Sequence, residues 1–177
     1  ARWKKPLDGL KIVFDPSNGM EGVYLEEVFR DSGAQCTFIN LEVDCTFPNH
    51  EANPLEPKNV VQLQNKVLET GADVGCIFDG DSDRVMFVDE KGSFVFPDIV
   101  IGLMGRGLLK DQTGAVLYDI RSSRSVIEEI SRLGGTPTLC KVGHSYAKAL
   151  LRKTNGVFGG ELAGHYYFPG WHQPSTF

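Results

Sequence analysis

The sequence predicts two consecutive α/β domains. Short apolar runs rich in β-branched residues alternate with longer segments of helical period, which is typical of α/β proteins. The 177 residues, of which 41% are hydrophobic and 23% charged, suffice for one large or two small domains, and no internal repeat interrupts them. Because the alternation starts again after a turn near residue 92, we predict one domain over residues 1–92 and a second over residues 93–177.

The first domain is predicted to contain four strands and two helices. Each strand is a short apolar run, and each helix ends at a glycine, Gly33 or Gly71, which stops helical period. The strands are predicted at residues 10–14, 35–41, 74–78 and 85–89, and the helices at 23–32 and before Gly71. One face of the second helix is predicted to carry Val60, Val61, Leu63, Val67 and Leu68.

The second domain repeats this pattern. A short strand at residues 94–96 follows the turn Glu90-Lys91-Gly92, and Ser125 and Glu128 have capping-box spacing in one of the helices. Helices are predicted at about 98–110, up to Leu133 and at 145–153, and strands at 115–118, 136–142 and 157–158, the last leading into Gly159-Gly160-Glu161.

The composition of the chain argues against several classes of function. The formal net charge of -5, without a long Lys/Arg run, argues against nucleic-acid binding. No stretch reaches the roughly 20 apolar residues of a membrane span, and residues 1–6 are not followed by an apolar signal region, so no membrane partner and no secretion are expected. The four cysteines are scattered without a CxxC pair, which favours a reducing, cytoplasmic setting.

An acidic loop follows the predicted strand 74–78. Asp79, Asp81 and Asp83 alternate there with the small residues Gly80 and Ser82, which aims three carboxylates toward one side. Three like charges so close together repel unless a cation relieves them, and Mg²⁺ suits a few carboxylates plus a substrate phosphate. We therefore predict a magnesium site, with a solvated acidic turn as the alternative.

Arg84 follows the third aspartate directly. Its guanidinium can grip a phosphate through two parallel hydrogen bonds, and the arginine and a dication together nearly cancel the charge of the loop. The spacing of Asp79, Asp81, Asp83 and Glu90 also fits a calcium EF-hand, but Arg84 occupies the position that needs glycine.

A strand followed by Asp79 and Asp81 also resembles the opening of haloacid-dehalogenase phosphatases, in which the first aspartate is a nucleophile and the second a general acid. That family usually has Thr or Val in the place of Asp83. A phosphatase with Asp79 as nucleophile therefore stays an alternative, as does a non-catalytic phosphosugar-binding module.

Three further segments occur in order around this loop: Phe-Pro-Asn-His at 47–50, Lys-Val-Gly-His-Ser at 141–145 and Gly-Glu-Leu-Ala-Gly-His at 160–165. Together with the acidic loop they closely resemble the α-D-phosphohexomutases, the phosphomannomutase and phosphoglucomutase family. The likeness spans residues 10–168 and corresponds to the second and third of that family's four domains. It implies three-layer α/β domains with mixed sheets and a chain that is a C-terminally truncated fragment of a mutase.

The resemblance also implies an activity. In those enzymes a phosphoserine of the first domain and Mg²⁺ interconvert hexose 1-phosphate and hexose 6-phosphate by intramolecular phosphoryl transfer. Asp79, Asp81 and Asp83 would be the metal ligands, and Arg84 would steady the transferring group. The implied substrate is a hexose phosphate.

Substrate residues are implied in the second half. Glu161 and His165 would read sugar hydroxyls, with Ala163 in a position where the family usually has Ser. His144 and Lys141 would approach the sugar or its phosphate at the start of a helix. Arg121 matches a basic residue of the family that aids proton transfer or positioning, and positioning suits it better because a guanidinium stays protonated.

Two parts of the family pattern are missing from these 177 residues. The phosphoserine segment, of the type Thr-Ala-Ser-His-Asn-Pro, has no counterpart, and the fourth domain would lie beyond Phe177. After Phe168 the family usually continues with Arg-Asp, whereas this chain diverges. The implied partners are therefore the missing N-terminal phosphoserine domain and the C-terminal domain, and the chain alone is expected to be inactive.

Overall fold

A computed structural model describes residues 7–169 of the chain. Within them the chain forms two compact units that divide between Val95 and Phe96. Two segments lie outside the described residues. They are residues 1–6, from which the absence of a signal region was argued, and residues 170–177, which are most of the divergent tail. No helix in the described part has the length and apolar character that crossing a membrane requires.

The first unit contains a five-stranded mixed sheet in the order β2-β1-β3-β4-β5. The first three strands in this order are parallel, and β4 and β5 continue antiparallel. Its elements are β1 (Lys11–Asp15), a 3-10 turn (Met20–Val23), α1 (Leu25–Phe29), β2 (Gln35–Phe38), α2 (Pro57–Thr70), β3 (Val74–Phe78), β4 (Val85–Asp89) and β5 (Phe94–Val95).

Side chains of this sheet alternate between two apolar layers. Val13 packs with Leu63 and Val67 of α2 on one face. Its neighbour Phe14 packs with Leu25 of α1 on the other face, because successive residues of a strand point to opposite sides. The unit is therefore a three-layer α/β/α domain.

The second unit contains a four-stranded mixed sheet in the order β7-β6-β8-β9. β6, β7 and β8 are parallel, and β9 closes the sheet antiparallel to β8. Its elements are α3 (Pro97–Leu108), β6 (Ala115–Asp119), α4 (Arg124–Arg132), β7 (Thr136–Cys140), α5 (His144–Thr154), β8 (Phe158–Gly160) and β9 (Tyr166–Tyr167).

The same layering holds here. Val116 of β6 belongs to an apolar cluster with Ile101 of α3 and Ile130 of α4, whereas the adjacent Leu117 packs with Leu151 of α5 on the other face. The two α/β domains with mixed sheets confirm the predicted fold class.

Three local predictions were wrong. The predicted helix 23–32 is a 3-10 turn followed by the five-residue α1, because hydrogen bonds from Gly22 N to Gly19 O and from Tyr24 N to Glu21 O tighten its start. The predicted strand 35–41 ends at Phe38, and Asn40 then turns the chain with φ of 52°. The capping box is absent because α4 begins at Arg124 with Ser123 as N-cap, so Ser125 already lies inside the helix.

Glu129 of α4 joins this helix to α3 through Arg106 and also pairs with Arg132 of its own helix. Its carboxylate accepts hydrogen bonds from Arg106 Nη2 at 2.8 Å and Arg132 Nη2 at 2.7 Å. The bonds from Arg132 and then Arg106 lower the pKa of Glu129 from 4.5 to about 2. A depressed carboxyl pKa stabilises the fold above the unfolded-state pKa, and this stability is lost as pH falls from 4.5 toward about 2.

We therefore expect Glu129→Gln to lower the melting temperature at neutral pH, and the difference from wild type to shrink as pH falls below about 4. Thermal unfolding followed by circular dichroism measures both. Glu128→Gln is the matched control because Glu128 forms only an exposed pair with Arg124 in the same helix, so it should change little. A constant difference between wild type and Glu129→Gln at all pH values would contradict this role.

Candidate functional site

Polar residues gather at the carboxyl edges of both sheets. In the first unit β1 lies between β2 and β3, and in the second β6 lies between β7 and β8. The parallel order reverses at these central strands, and ligands of open α/β sheets bind at such points. The acidic loop 79–84 leaves β3, and the segment 161–165 leaves β8, so both candidate loops lie at these edges.

The acidic loop brings its three aspartates together. One carboxylate oxygen from each of Asp79, Asp81 and Asp83 lies within 4.8 Å of the others. Backbone bonds from Ser82 N to Asp79 O and from Asp79 N to Arg84 O close the loop, and Ser82 adopts a φ of 66°. Asp79 is 1% exposed, whereas Asp81 and Asp83 are exposed. This oxygen-only set fits a hard dication such as Mg²⁺ or Mn²⁺.

Arg84 contacts the aspartates themselves. Its Nε donates to Asp79 Oδ2 at 2.6 Å, its backbone N–H donates to Asp79 Oδ1 at 3.1 Å, and Asp83 Oδ1 lies 3.7 Å from Nε. Burial raises the pKa of the Asp79 carboxyl, hydrogen bonds from Arg84 oppose this rise, and the charge of Asp81 adds to it. Clustered negative charge at a buried carboxylate is the condition that a bound cation relieves.

The exit loop of β1 lies against the acidic loop. Met20 N donates to Gly80 O at 3.1 Å, and Ser17 Oγ donates to Phe78 O at 2.5 Å. Ser17 and Asn18 are buried and both have positive φ, of 55° and 56°. The backbone on either side of Asp79 is therefore held by residues 17–20, which sequence reasoning did not assign to the site.

Glu161 is the centre of the site in the second unit. It is 4% exposed, and its carboxylate accepts hydrogen bonds from Gly143 N at 3.0 Å, Tyr167 Oη at 3.1 Å and His165 Nδ1 at 3.2 Å. A carboxylate offers about four acceptor positions, so it has capacity for one more donor. The residue ties the start of α5 to the hairpin of β8 and β9.

The turn that holds Glu161 is a three-residue hairpin loop. Gly164 N donates to Glu161 O, Glu161 N donates to His165 O, and Gly164 has a φ of 89°. A turn followed by a glycine in left-handed conformation is typical of such hairpins. Ala163 is half-buried in this turn, so its backbone position is fixed while its side chain carries no polar group.

The predicted His144, His165 and Lys141 lie around the start of α5. The His144 ring is 4.8 Å from the His165 ring and 5.6 Å from the Tyr167 ring, in edge-on geometry. Because the Glu161 carboxylate only accepts, the neutral form of His165 carries its proton on Nδ1, and its Nε2 is an acceptor. Lys141 lies over the Tyr146 ring at 5.6 Å.

Asp119 links the predicted Arg121 to the Glu161 loop. Its buried carboxylate accepts from Arg121 N and Arg121 Nη2, each at 2.7 Å, and from Leu162 N at 2.9 Å. Burial opposes ionisation of Asp119, but the hydrogen bonds from Arg121 and Leu162 outweigh it and lower its pKa. Arg121 is thus anchored beside the Glu161 loop.

The start of α4 binds a protein carboxylate. Ser123 N donates to Asp98 Oδ2 at 3.0 Å, and Arg124 pairs with Glu128 on the surface. Asp98 therefore supplies negative charge at the positive end of the helix.

Sequence reasoning assigned no role to four hydrogen-bonding partners: the buried Asp15, Asp119 and Tyr167, and the half-buried Gly143. The signal for Asp15 and Asp119 was present, because each ends a buried strand and precedes a short polar turn. No local signal pointed to Gly143 or Tyr167, whose roles depend on strand pairing.

Comparison with protein families gives two matches in sequence order. Residues 2–92 match the model described as phosphoglucomutase/phosphomannomutase, alpha/beta/alpha domain II. Residues 96–174 match the one described as phosphoglucomutase/phosphomannomutase, alpha/beta/alpha domain III. Nearly the whole chain is covered.

Similarity to curated proteins supports the same family. The chain is 39% identical over 160 residues to a phosphomannomutase/phosphoglucomutase of Pseudomonas syringae pv. tomato, which covers 90% of this chain and 34% of the relative. It is 36% identical over 170 residues to a phosphomannomutase of Escherichia coli K12, which covers 93% and 37% respectively. The chain thus spans about a third of the length of these relatives.

A solved structure shows the same architecture. An X-ray structure of a phosphoglucomutase/phosphomannomutase family protein from Burkholderia thailandensis superposes with a TM-score of 0.85 at 33% identity, over 90% of this chain and 35% of that one. The agreement of both domain matches, their order and this superposition shows that the chain belongs to the phosphoglucomutase/phosphomannomutase family and carries its α/β/α domains II and III.

Proposed function

We propose that this chain is the metal-binding and sugar-binding part of a Mg²⁺-dependent phosphohexomutase that interconverts hexose 1-phosphate and hexose 6-phosphate. The observation that carries the proposal is the convergence of the Asp79, Asp81 and Asp83 carboxylates within 4.8 Å at the carboxyl edge of the first sheet. Bound there, Mg²⁺ supplies positive charge that stabilises a transferring phosphoryl group. The phosphoryl donor is a serine outside these 177 residues, as the family resemblance implies.

Arg84 supports this role through charge and position. Its Nε is committed to Asp79, which fixes the guanidinium at the mouth of the loop. A guanidinium beside an acidic loop complements phosphoryl oxygens in the same way as the metal does, without a proton to lose. Arg84 therefore holds the transferring group while the carboxylates hold the ion.

The Glu161 loop supports the sugar-binding role. Glu161 has one acceptor position left for a hydroxyl donor, and His165, which the family resemblance implies as a second sugar-reading residue, contacts the same carboxylate. Ala163 offers no side-chain hydrogen bond in the same turn. His144 lies against the His165 ring and Lys141 precedes the same helix, so two basic side chains near the start of α5 suit a phosphorylated sugar. Arg121 is held by Asp119 and acts in positioning, not as a base.

The phosphatase alternative has less support from the geometry. A third carboxylate, Asp83, converges with those of Asp79 and Asp81 within 4.8 Å, which favours metal ligation over nucleophilic attack by Asp79. Phosphate release from hexose phosphates by the chain alone, abolished by Asp79→Asn, would reverse this preference. We expect no such release.

Metal binding is tested most directly by Mn²⁺, whose effect on water proton relaxation reports the bound ion. We expect weak binding by the wild-type chain, because three carboxylates without a substrate phosphate leave the ion largely hydrated. Asp81→Asn removes one ligand charge, and we expect it to weaken binding by about tenfold or more.

Asp31→Asn is the matched control, because Asp31 is an exposed aspartate of the same unit outside the loop. It should bind Mn²⁺ as the wild type does. Equal Mn²⁺ binding by wild type, Asp81→Asn and Asp31→Asn would contradict the proposed metal site. Mutase activity on addition of separate serine-bearing and C-terminal domains would support the complete proposal, and its absence despite normal Mn²⁺ binding would favour a phosphosugar-binding module.

A further inference from the structure

A second polar network lies behind the acidic loop in the first unit. Asp15, the last residue of β1, is wholly buried. Its Oδ1 accepts hydrogen bonds from Ser17 N at 2.9 Å and Asn40 Nδ2 at 3.1 Å, and its Oδ2 lies 3.0 Å from His50 Nε2. A buried carboxylate is stable only when it is paired and hydrogen-bonded, and this one has three donors.

The geometry specifies the charge of His50. Its Nε2 faces the Asp15 carboxylate and its Nδ1 lies 2.9 Å from the Glu51 carbonyl oxygen, and both of these groups only accept hydrogen bonds. Each ring nitrogen must therefore carry a hydrogen, which defines an imidazolium. The His50 side chain is 7% exposed, so this is a largely buried ion pair.

Among the groups described around His50, Asp15 is the charged group that contacts its ring. On the segment of His50 itself, Glu51 contributes its carbonyl, and its carboxylate pairs with Lys58 of α2 at 3.7 Å in solvent. From α2 the network receives the neutral Gln62, whose Oε1 accepts from Asn40 Nδ2. The hydrogen bond to Asp15 raises the pKa of His50 above 6.5, burial lowers it, and the Glu51 carbonyl raises it.

The ion pair is connected to the acidic loop through one short segment. Asp15 fixes Ser17 N, and Ser17 Oγ holds Phe78 O next to Asp79. Residues 47–50 add a second tie, because Asn49 Nδ2 donates to Asn18 Oδ1 at 2.9 Å. The adjoining Met20 N holds Gly80 O. The shape of the acidic loop thus depends on a turn that His50 and Asp15 keep in place.

We propose that the His50–Asp15 ion pair is a positioning element for divalent-cation binding, which requires the protonated imidazole. This inference rests on the proposed metal role of the acidic loop. Loss of the His50 proton leaves the buried Asp15 charge uncompensated and removes the donor to either Asp15 or Glu51. The turn at residues 17–20 then loosens, and the loop holds the ion less well.

The sign of the pH dependence distinguishes this arrangement from a simple carboxylate site. A site made only of aspartates gains affinity as pH rises through about 4 and then stays constant. Because the pKa of His50 is raised, its protonated form is complete below 6.5 and is lost as pH rises through the folded-state pKa. Cation affinity should therefore fall again at mildly alkaline pH.

The test measures Mn²⁺ affinity of the 177-residue chain by water proton relaxation between about pH 6 and about pH 8.5, a range that brackets histidine titration. We expect wild-type affinity to fall by about tenfold across this range. His50→Gln keeps one N–H donor without a titrating group, so we expect weaker but pH-independent binding. Glu51→Gln, which removes only an exposed carboxylate beside His50, should keep the wild-type profile.

A readout without metal separates this inference from the proposed function. The ¹⁵N shifts of the His50 ring in the metal-free chain should show both nitrogens protonated at neutral pH, with a pKa above 6.5. Mn²⁺ binding that is lost in Asp81→Asn but has a flat pH profile in wild type would overturn the positioning role alone. Binding unaffected by Asp81→Asn would overturn the metal site itself, whatever the state of His50.

Discussion

Replacing Phe158 by alanine is expected to lower the free energy of unfolding of the second unit by about 3–5 kcal/mol. Phe158 is wholly buried in the cluster that joins α3 and α4 to the sheet. Its ring lies 5.2 Å from the Phe168 ring and 6.2 Å from the Tyr166 ring. Truncation removes these contacts and leaves a cavity that the surrounding sheet cannot fill.

Urea unfolding measures this loss, and amide hydrogen exchange of β6 and β8 assigns it to the second unit. Ile120→Ala is the matched control, since Ile120 is 78% exposed at the end of the neighbouring strand β6, and it should change stability by less than about 0.5 kcal/mol. Phe158 directly precedes Gly159-Gly160-Glu161, so the variant should also loosen the Glu161 loop. A loss below about 1 kcal/mol would contradict this assignment of the core.

Gly19→Ala is expected to damage the acidic loop directly. A Cβ at Gly19 would lie 2.8 Å from Gly80 O and 3.0 Å from Asp79 O. Gly19 has a φ of -91°, which any residue adopts, so the penalty is steric, and the opposing atoms are backbone that cannot change rotamer. We expect a loss of about 1–3 kcal/mol in stability and about tenfold weaker Mn²⁺ binding.

Chemical denaturation and Mn²⁺ relaxation on one preparation test both parts. Gly107→Ala serves as the control because a Cβ at Gly107 meets nothing within 4 Å and the residue lies in helix α3. That variant should be as stable as wild type or up to about 1 kcal/mol more stable. Undiminished Mn²⁺ binding by Gly19→Ala would show that the exit loop of β1 and the acidic loop move independently.

Much of the fold was predictable because its signals are local. The buried runs of β3 and β4 stand where they were predicted, at residues 74–78 and 85–89. Helix α2 ends at Thr70, before Gly71, whose φ of 60° explains why a glycine marks the end. The convergence of Asp79, Asp81 and Asp83 likewise follows from their spacing in a short loop after a strand.

The remaining features depend on long-range pairing, which a single sequence does not reveal. Asp15 meets His50 across 35 positions and Asp119 meets Leu162 across 43, because parallel strands joined by crossovers bring their ends together. The helix predicted at 23–32 is shorter than expected because its start is a 3-10 turn, although Leu25 packs in the core as an apolar helix face requires. On α2, Val61 and Leu68 were predicted on the apolar face but lie exposed.

The hairpin of β8 and β9 restricts how the Glu161 loop can vary. Gly160 pairs with Tyr166 and Gly159 with Tyr167, so three residues connect Glu161 to His165. One inserted residue would shift the register and turn Tyr167 away from Glu161 and from the core beside α5. New ligand preferences in this loop can therefore arise by exchanging the side chains of Leu162 and Ala163. A change in loop length would instead displace the Glu161 carboxylate from its hydrogen-bond donors.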